Sequence, residues 1–127
     1  MAEERIGTKR LVVGAHYGTL DFIVQRITAV IMIIYTLVFL LGVLFTSELN
    51  YEGWRNLFNF KLFGALPAGQ ILVSLFFLSL AWHAWIGVRD IWMDYIKSTG
   101  LRMALQTVTV LWLVACIVYF TQIIWSL

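Results

Sequence analysis

Three long, predominantly apolar runs organise the chain, at residues 27–45 (ITAVIMIIYTLVFLLGVLF), 71–92 and 105–127. Each approaches or exceeds the roughly 20 residues that cross about 30 Å of hydrocarbon. The first and third runs carry no charged residue. None alternates apolar and polar residues as a barrel strand does, so the pattern predicts helices as the spanning form. Pro67 suits the first turn of the second helix. Between the first two runs lies SELNYEGWRNLFNFKLFGALPAG, rich in aromatics with a few charges, which reads as an interfacial connection containing a short amphipathic helix. Between the second and third lies DYIKSTGLR, read as a tight loop with Gly100 ending a helix. The expectation is an all-α integral membrane protein, a single domain over residues 1–127, with three transmembrane helices running up-down-up. No internal repeat or low-complexity segment interrupts it.

Composition agrees. Of 127 residues, 61% are hydrophobic and 13% charged, with mean hydropathy +0.87; a soluble domain carries about 25% charged residues. Few residues remain outside the spans, so water-soluble catalytic machinery must belong to a partner. The net charge of +2 gives no basic patch for nucleic acid. Its distribution decides the orientation. Arg5, Lys9, Arg10 and Arg26 precede or begin the first span, and Arg89, Lys97 and Arg102 surround the loop after the second. Only Arg55 and Lys61 lie in the other connection, so seven basic residues against two put the N-terminus and the Asp94–Tyr95 loop in the cytoplasm and the C-terminus outside. The first apolar run is too long for a signal peptide and is expected to stay as a span. Cys116, the one cysteine, can form no disulfide within the chain and reads as a weakly polar core residue.

Candidate chemistry centres on His83, an ionisable group inside the second apolar run, where its burial is costly. It serves either as a ligand or proton relay, or as a hydrogen-bonding group that joins two helices. A neutral imidazole is a good axial ligand for haem iron, and its other ring nitrogen can be oriented by an acceptor nearby. Gly87, one turn on, lets a flat macrocycle or another helix approach. Trp82, Trp85 and Trp92 are expected to add aromatic bulk around this face, Trp92 as an interface anchor. His16 precedes the first span and is expected at the cytoplasmic surface, out of reach of His83, so a bis-histidine haem needs its second ligand from another polypeptide. Twelve residues beyond His83, about 18 Å along one helix, Tyr95 reaches the water interface. Its phenol can donate to a quinone carbonyl, or it is an ordinary interfacial tyrosine. Asp94 either assists it or pairs with Lys97. Arg89 and Asp90 snorkel or pair with partner groups. Arg26 does the same, or meets a haem propionate or the quinone site.

The segment HAWIGVRDIWMDYIK, residues 83–97, resembles the second membrane helix of the succinate dehydrogenase hydrophobic membrane anchor subunits, the smaller anchors of bacterial complex II. That pattern is a His, a Gly four residues on, and an Asp-Tyr pair eleven and twelve residues after the His; His83, Gly87, Asp94 and Tyr95 match all four. DFIVQRITA, residues 21–29, resembles the segment leading into the family's first span, and the charge-poor third span after LRMALQ fits as well. The resemblance implies a multi-pass subunit of the bacterial inner membrane. It would pair with a second anchor subunit of the cytochrome b556 type and dock the iron–sulfur and flavoprotein subunits, which alone carry the iron–sulfur clusters and FAD. It further implies His83 as one axial ligand of haem b, Tyr95 as a contact of the substrate ubiquinone with Asp94 beside it, and Arg26 near a propionate or the quinone. This chain departs from some members at Leu20, where they carry a His, at KSTGLR, where a Pro often follows the Lys, and in its more charged Arg89–Asp90. A fumarate reductase anchor and a non-redox structural membrane subunit remain the alternatives.

Overall fold

A computed structural model of the protein describes residues 15–127, with side chains from residue 18 onward. It contains four helices: α1 (Ala15–Phe45), α2 (Tyr51–Phe58), α3 (Ala68–Tyr95) and α4 (Thr99–Trp125). Three of them, α1, α3 and α4, are long and apolar enough to cross a membrane, and no strand occurs among the described residues, so the all-α architecture is as expected. The 28 residues of α3 rise about 42 Å, close to the full thickness of a bilayer with its headgroups. Large apolar side chains stay exposed along all three, among them Leu44, Leu78 and Leu111. That is the surface expected of helices solvated by lipid or by neighbouring subunits.

The helices outrun the apolar runs that announced them. Hydropathy marks where hydrocarbon ends, whereas a helix continues into the headgroups because its backbone bonds are already satisfied internally. Hence α1 begins at Ala15, α3 continues through Tyr95, and α4 begins at Thr99. Three expectations are corrected. Asp94 and Tyr95 close α3 instead of opening a loop, and only residues 96–98 connect α3 to α4. Gly100 lies in the first turn of α4 and ends no helix. Arg26 stands eleven residues inside α1, well past its start. The expectations for Arg5, Lys9, Arg10 and the side chain of His16 lie outside the described residues.

The expected interfacial helix is α2. Asn50 caps it, its side chain accepting from the Gly53 amide at 2.8 Å. Phe39 of α1 packs on Trp54 and Phe58 of α2, with ring centroids 5.8 and 5.4 Å apart. Pro67 sits just before the first residue of α3.

α3 lies between α1 and α4. On the α4 side, Phe77 stacks on Phe120 at 4.0 Å, and buried Gln70 donates to the Ile124 carbonyl at 3.1 Å. On the α1 side, Tyr35 meets Phe76 at 4.7 Å. Ile86, on α3, keeps only 2% of its surface exposed. Cys116 is unpaired and half-buried on α4.

Gly69 fixes how α3 leaves the interfacial segment. Its amide donates to the Phe60 carbonyl at 3.0 Å, and an added Cβ would stand 2.4 Å from the Phe58 carbonyl oxygen. Backbone cannot rotate away, so Gly69→Ala should cost about 1–3 kcal/mol and lower the thermal unfolding midpoint in detergent. Gly100→Ala, with open space around its Cβ, should leave that midpoint unchanged or raised, because alanine is the better helix former. Equal midpoints for the two variants would contradict this account of the junction.

Candidate functional site

Helices α1 and α3 run antiparallel, and their polar residues meet in the half of the seam nearer Tyr95. His83 is half-buried on the α1-facing side of α3. Its Nδ1 lies 3.1 Å from Oγ1 of Thr28. Thr28 is buried, and its Oγ1 is also 2.8 Å from the Val24 carbonyl oxygen. Among the described residues His83 makes no other hydrogen bond, so Nε2 is left without a protein partner. The imidazole borders an open depression of about 300 Å³ whose other walls are Ala29, Met32, Ile33, Thr36 and Leu37 of α1. Apart from the Thr36 hydroxyl, which bonds back to the Met32 carbonyl at 2.7 Å, this lining is apolar. No atom lies within 4 Å of a Cβ placed on Gly87, so that face of α3 is open.

Nearer the Tyr95 end, the same two helices form a second, charged depression of about 510 Å³. Asp21, Gln25 and Arg26 of α1 face Ile86, Arg89 and Asp90 of α3 across it. Arg89 donates to the carboxylate of Asp21 and more weakly to Asp90, whose oxygen is 3.4 Å away. Arg89 therefore pairs within the chain, partly across helices. Two buried polar atoms here, Gln25 Oε1 and Arg89 Nε, lack a hydrogen-bond partner. The Arg26 guanidinium carbon lies over the Phe22 ring, 3.4 Å from its centroid, a cation–π contact at the rim.

Tyr95 and Asp94 stand at the end of α3. Tyr95 is 78% exposed, and Asp94 is exposed with no ion pair among the described residues, so the anticipated Asp94–Lys97 pair does not form. Neither lines the charged depression. The structure thus brings His83 and Arg26 to one seam and leaves Tyr95 and Asp94 on an open surface beyond it. The three tryptophans are not grouped around His83. Trp82 is exposed, Trp85 lines a depression with Met103 and Gln106 of α4, and the Trp92 indole donates to Thr109 of α4 at 3.2 Å.

Sequence reasoning missed Thr28 and the Asp21–Arg89 pair. A signal for Thr28 existed in the arithmetic of depth. It lies 13 residues into α1, about 20 Å, as His83 lies about 18 Å from the opposite-running end of α3.

An imidazole with one nitrogen held and the other free, against an apolar wall and below a charged rim, suits a flat, carboxylate-bearing metallomacrocycle better than a bare ion. No cluster of three metal-ligating side chains exists among the described residues. Comparison with known proteins gives the family. The family model for the succinate dehydrogenase/fumarate reductase transmembrane subunit matches residues 1–121. The chain is also similar to the succinate dehydrogenase hydrophobic membrane anchor subunit of Coxiella burnetii (strain RSA 493 / Nine Mile phase I). Identity is 33% over 108 residues, which make up 85% of this chain and 89% of that one. With its all-α fold, three spanning helices and a match over nearly its whole length, the chain belongs to the succinate dehydrogenase/fumarate reductase transmembrane subunit family.

Proposed function

We propose that the chain is the hydrophobic membrane anchor of a bacterial succinate:ubiquinone oxidoreductase, providing one axial ligand of haem b through His83 and part of the ubiquinone site through Tyr95. The observation that carries this reading is the His83 imidazole on the α1–α3 seam, with Nδ1 engaged by Thr28, Nε2 free and an apolar depression alongside. These residues fit a haem. His83 would hold the iron, the open face at Gly87 leaves room for a ring edge, and Arg26 puts positive charge where a propionate needs it. When bound, the haem supplies a one-electron redox centre inside the membrane. Arg26 is assigned to the propionates and not to the quinone because its depression excludes Tyr95.

The chain's own residues then divide the work. His83 would hold the group and Thr28 orients His83, Arg26 would neutralise a propionate, Arg89 ties α3 to Asp21 of α1, and the α1 wall excludes water. Tyr95 donates a hydrogen bond to a ubiquinone carbonyl oxygen, polarising it for reduction. Asp94, beside it and exposed to solvent, passes protons to the reduced oxygens. Reducing the quinone to quinol takes two electrons and two protons; succinate oxidation in the partner flavoprotein provides the electrons, relayed by the iron–sulfur subunit. A second haem ligand would come from a second anchor subunit. This chain positions cofactor and substrate and performs no succinate chemistry itself. The excess of basic residues at the Tyr95 end of the helices puts that end at the cytoplasmic face of the inner membrane.

Family membership counts against the non-redox structural reading, and the name of the Coxiella relative favours the dehydrogenase over fumarate reductase. The test is to tag this chain, purify it in mild detergent and record a reduced-minus-oxidised spectrum. Co-purification of flavoprotein, iron–sulfur and second anchor subunits with a b-type haem is expected. Isolation of the chain without haem or succinate:quinone activity, from membranes that contain both, would reject the proposal.

A further inference from the structure

We infer that Thr28 is a positioning residue for His83, fixing which imidazole nitrogen carries the proton and how strongly the other donates electrons. The inference rests on the proposed ligation of haem by His83 and adds to it a residue of α1.

Thr28 keeps 7% of its surface exposed, so its hydroxyl can turn only to groups inside the protein. Its Oγ1 is 2.8 Å from the Val24 carbonyl oxygen and 3.1 Å from that of Gln25. Both carbonyls only accept, so they claim the one hydroxyl proton. In that arrangement Oγ1 presents a lone pair to His83 Nδ1 at 3.1 Å, and the tautomer we assign carries its proton on Nδ1. Nε2 is then the bare donor, the form a metal requires. The chain from Nδ1–H through Oγ1–H to a helix carbonyl is aligned head to tail, and each bond polarises the next. An acceptor on the remote N–H raises the basicity of a ligating imidazole. That stabilises ferric over ferrous iron and lowers the midpoint potential. Because Thr28 and His83 lie on different helices, the same bond also fixes the ring plane relative to α1.

The test compares Thr28→Val, Thr28→Ala and Thr28→Ser in the assembled complex, with His83→Ala as reference. The readouts are the haem midpoint potential by redox titration and the g-values of the low-spin ferric haem by electron paramagnetic resonance. Val and Ala should shift the potential in the positive direction and alter the g-values, whereas Ser, which keeps the hydroxyl, should match the unsubstituted complex. Unchanged potential and g-values in Val or Ala overturn the assignment. So does a shift in Ser equal to theirs, or a complex that assembles only with Ser, which would make the hydroxyl a folding requirement. If His83→Ala keeps the low-spin bis-histidine signature, the failure lies instead with the proposed ligation.

Discussion

Replacing His83 by alanine should remove the low-spin, bis-histidine signature of the b-type haem from the assembled complex. Among the described residues it is the only histidine side chain, and no cluster of other metal-ligating groups stands ready to substitute. Loss of a partner that merely orients a ligand costs roughly 10–100-fold in metal affinity, so loss of the ligand itself should exceed that range. The vacated space would border the depression formed by Ala29, Met32 and Leu37, which contains no nitrogen donor. Succinate oxidation measured with an artificial dye should persist, because that chemistry resides in the soluble partners. A spectrum and g-values identical to those of the unsubstituted complex would mean that His83 only ties α3 to Thr28.

Tyr95→Phe should leave that haem signature intact and lower succinate:ubiquinone activity by about 100-fold, at the lower end of what a positioned proton donor contributes. The substitution keeps the ring and its interfacial packing and removes one hydroxyl. The two roles open to an interfacial tyrosine therefore separate cleanly. An aromatic belt residue is served equally well by phenylalanine, whereas a hydrogen bond to a quinone carbonyl is not. Tyr95 projects from the final residue of α3 with 78% of its surface exposed, so little internal packing depends on its oxygen. Dye reduction by succinate should be unchanged. Normal activity with both acceptors would assign the side chain to the belt.

Much of this architecture was legible in the chain because the bilayer imposes a simple rule on its backbone. Three apolar runs gave three spanning helices, and the aromatic segment around Trp54 gave α2. His83 stood out because a bilayer makes an imidazole costly. Helix extents were less legible. Taking residue 27 as the start of the first span put Arg26 and Thr28 at the water interface, and so concealed that Thr28 shares a depth with His83. Gly100 was misread because a glycine after a polar stretch suits a helix end as well as a helix start. Depth arithmetic matches Thr28 to His83, but nothing in the chain shows that the two face each other. Thr28 and His83 are 55 residues apart, and Asp21 and Arg89 are 68 apart. Such pairings depend on how two helices rotate about their axes, which α1 and α3, apolar on nearly every side, do not encode in their periodicity.

The placement of α3 between α1 and α4 has a consequence for the life of the polypeptide. Three rods with this little shared interior depend on their surroundings for cohesion. A copy without neighbours would leave the half-buried His83 and the depression beside it facing acyl chains, where an imidazole is costly.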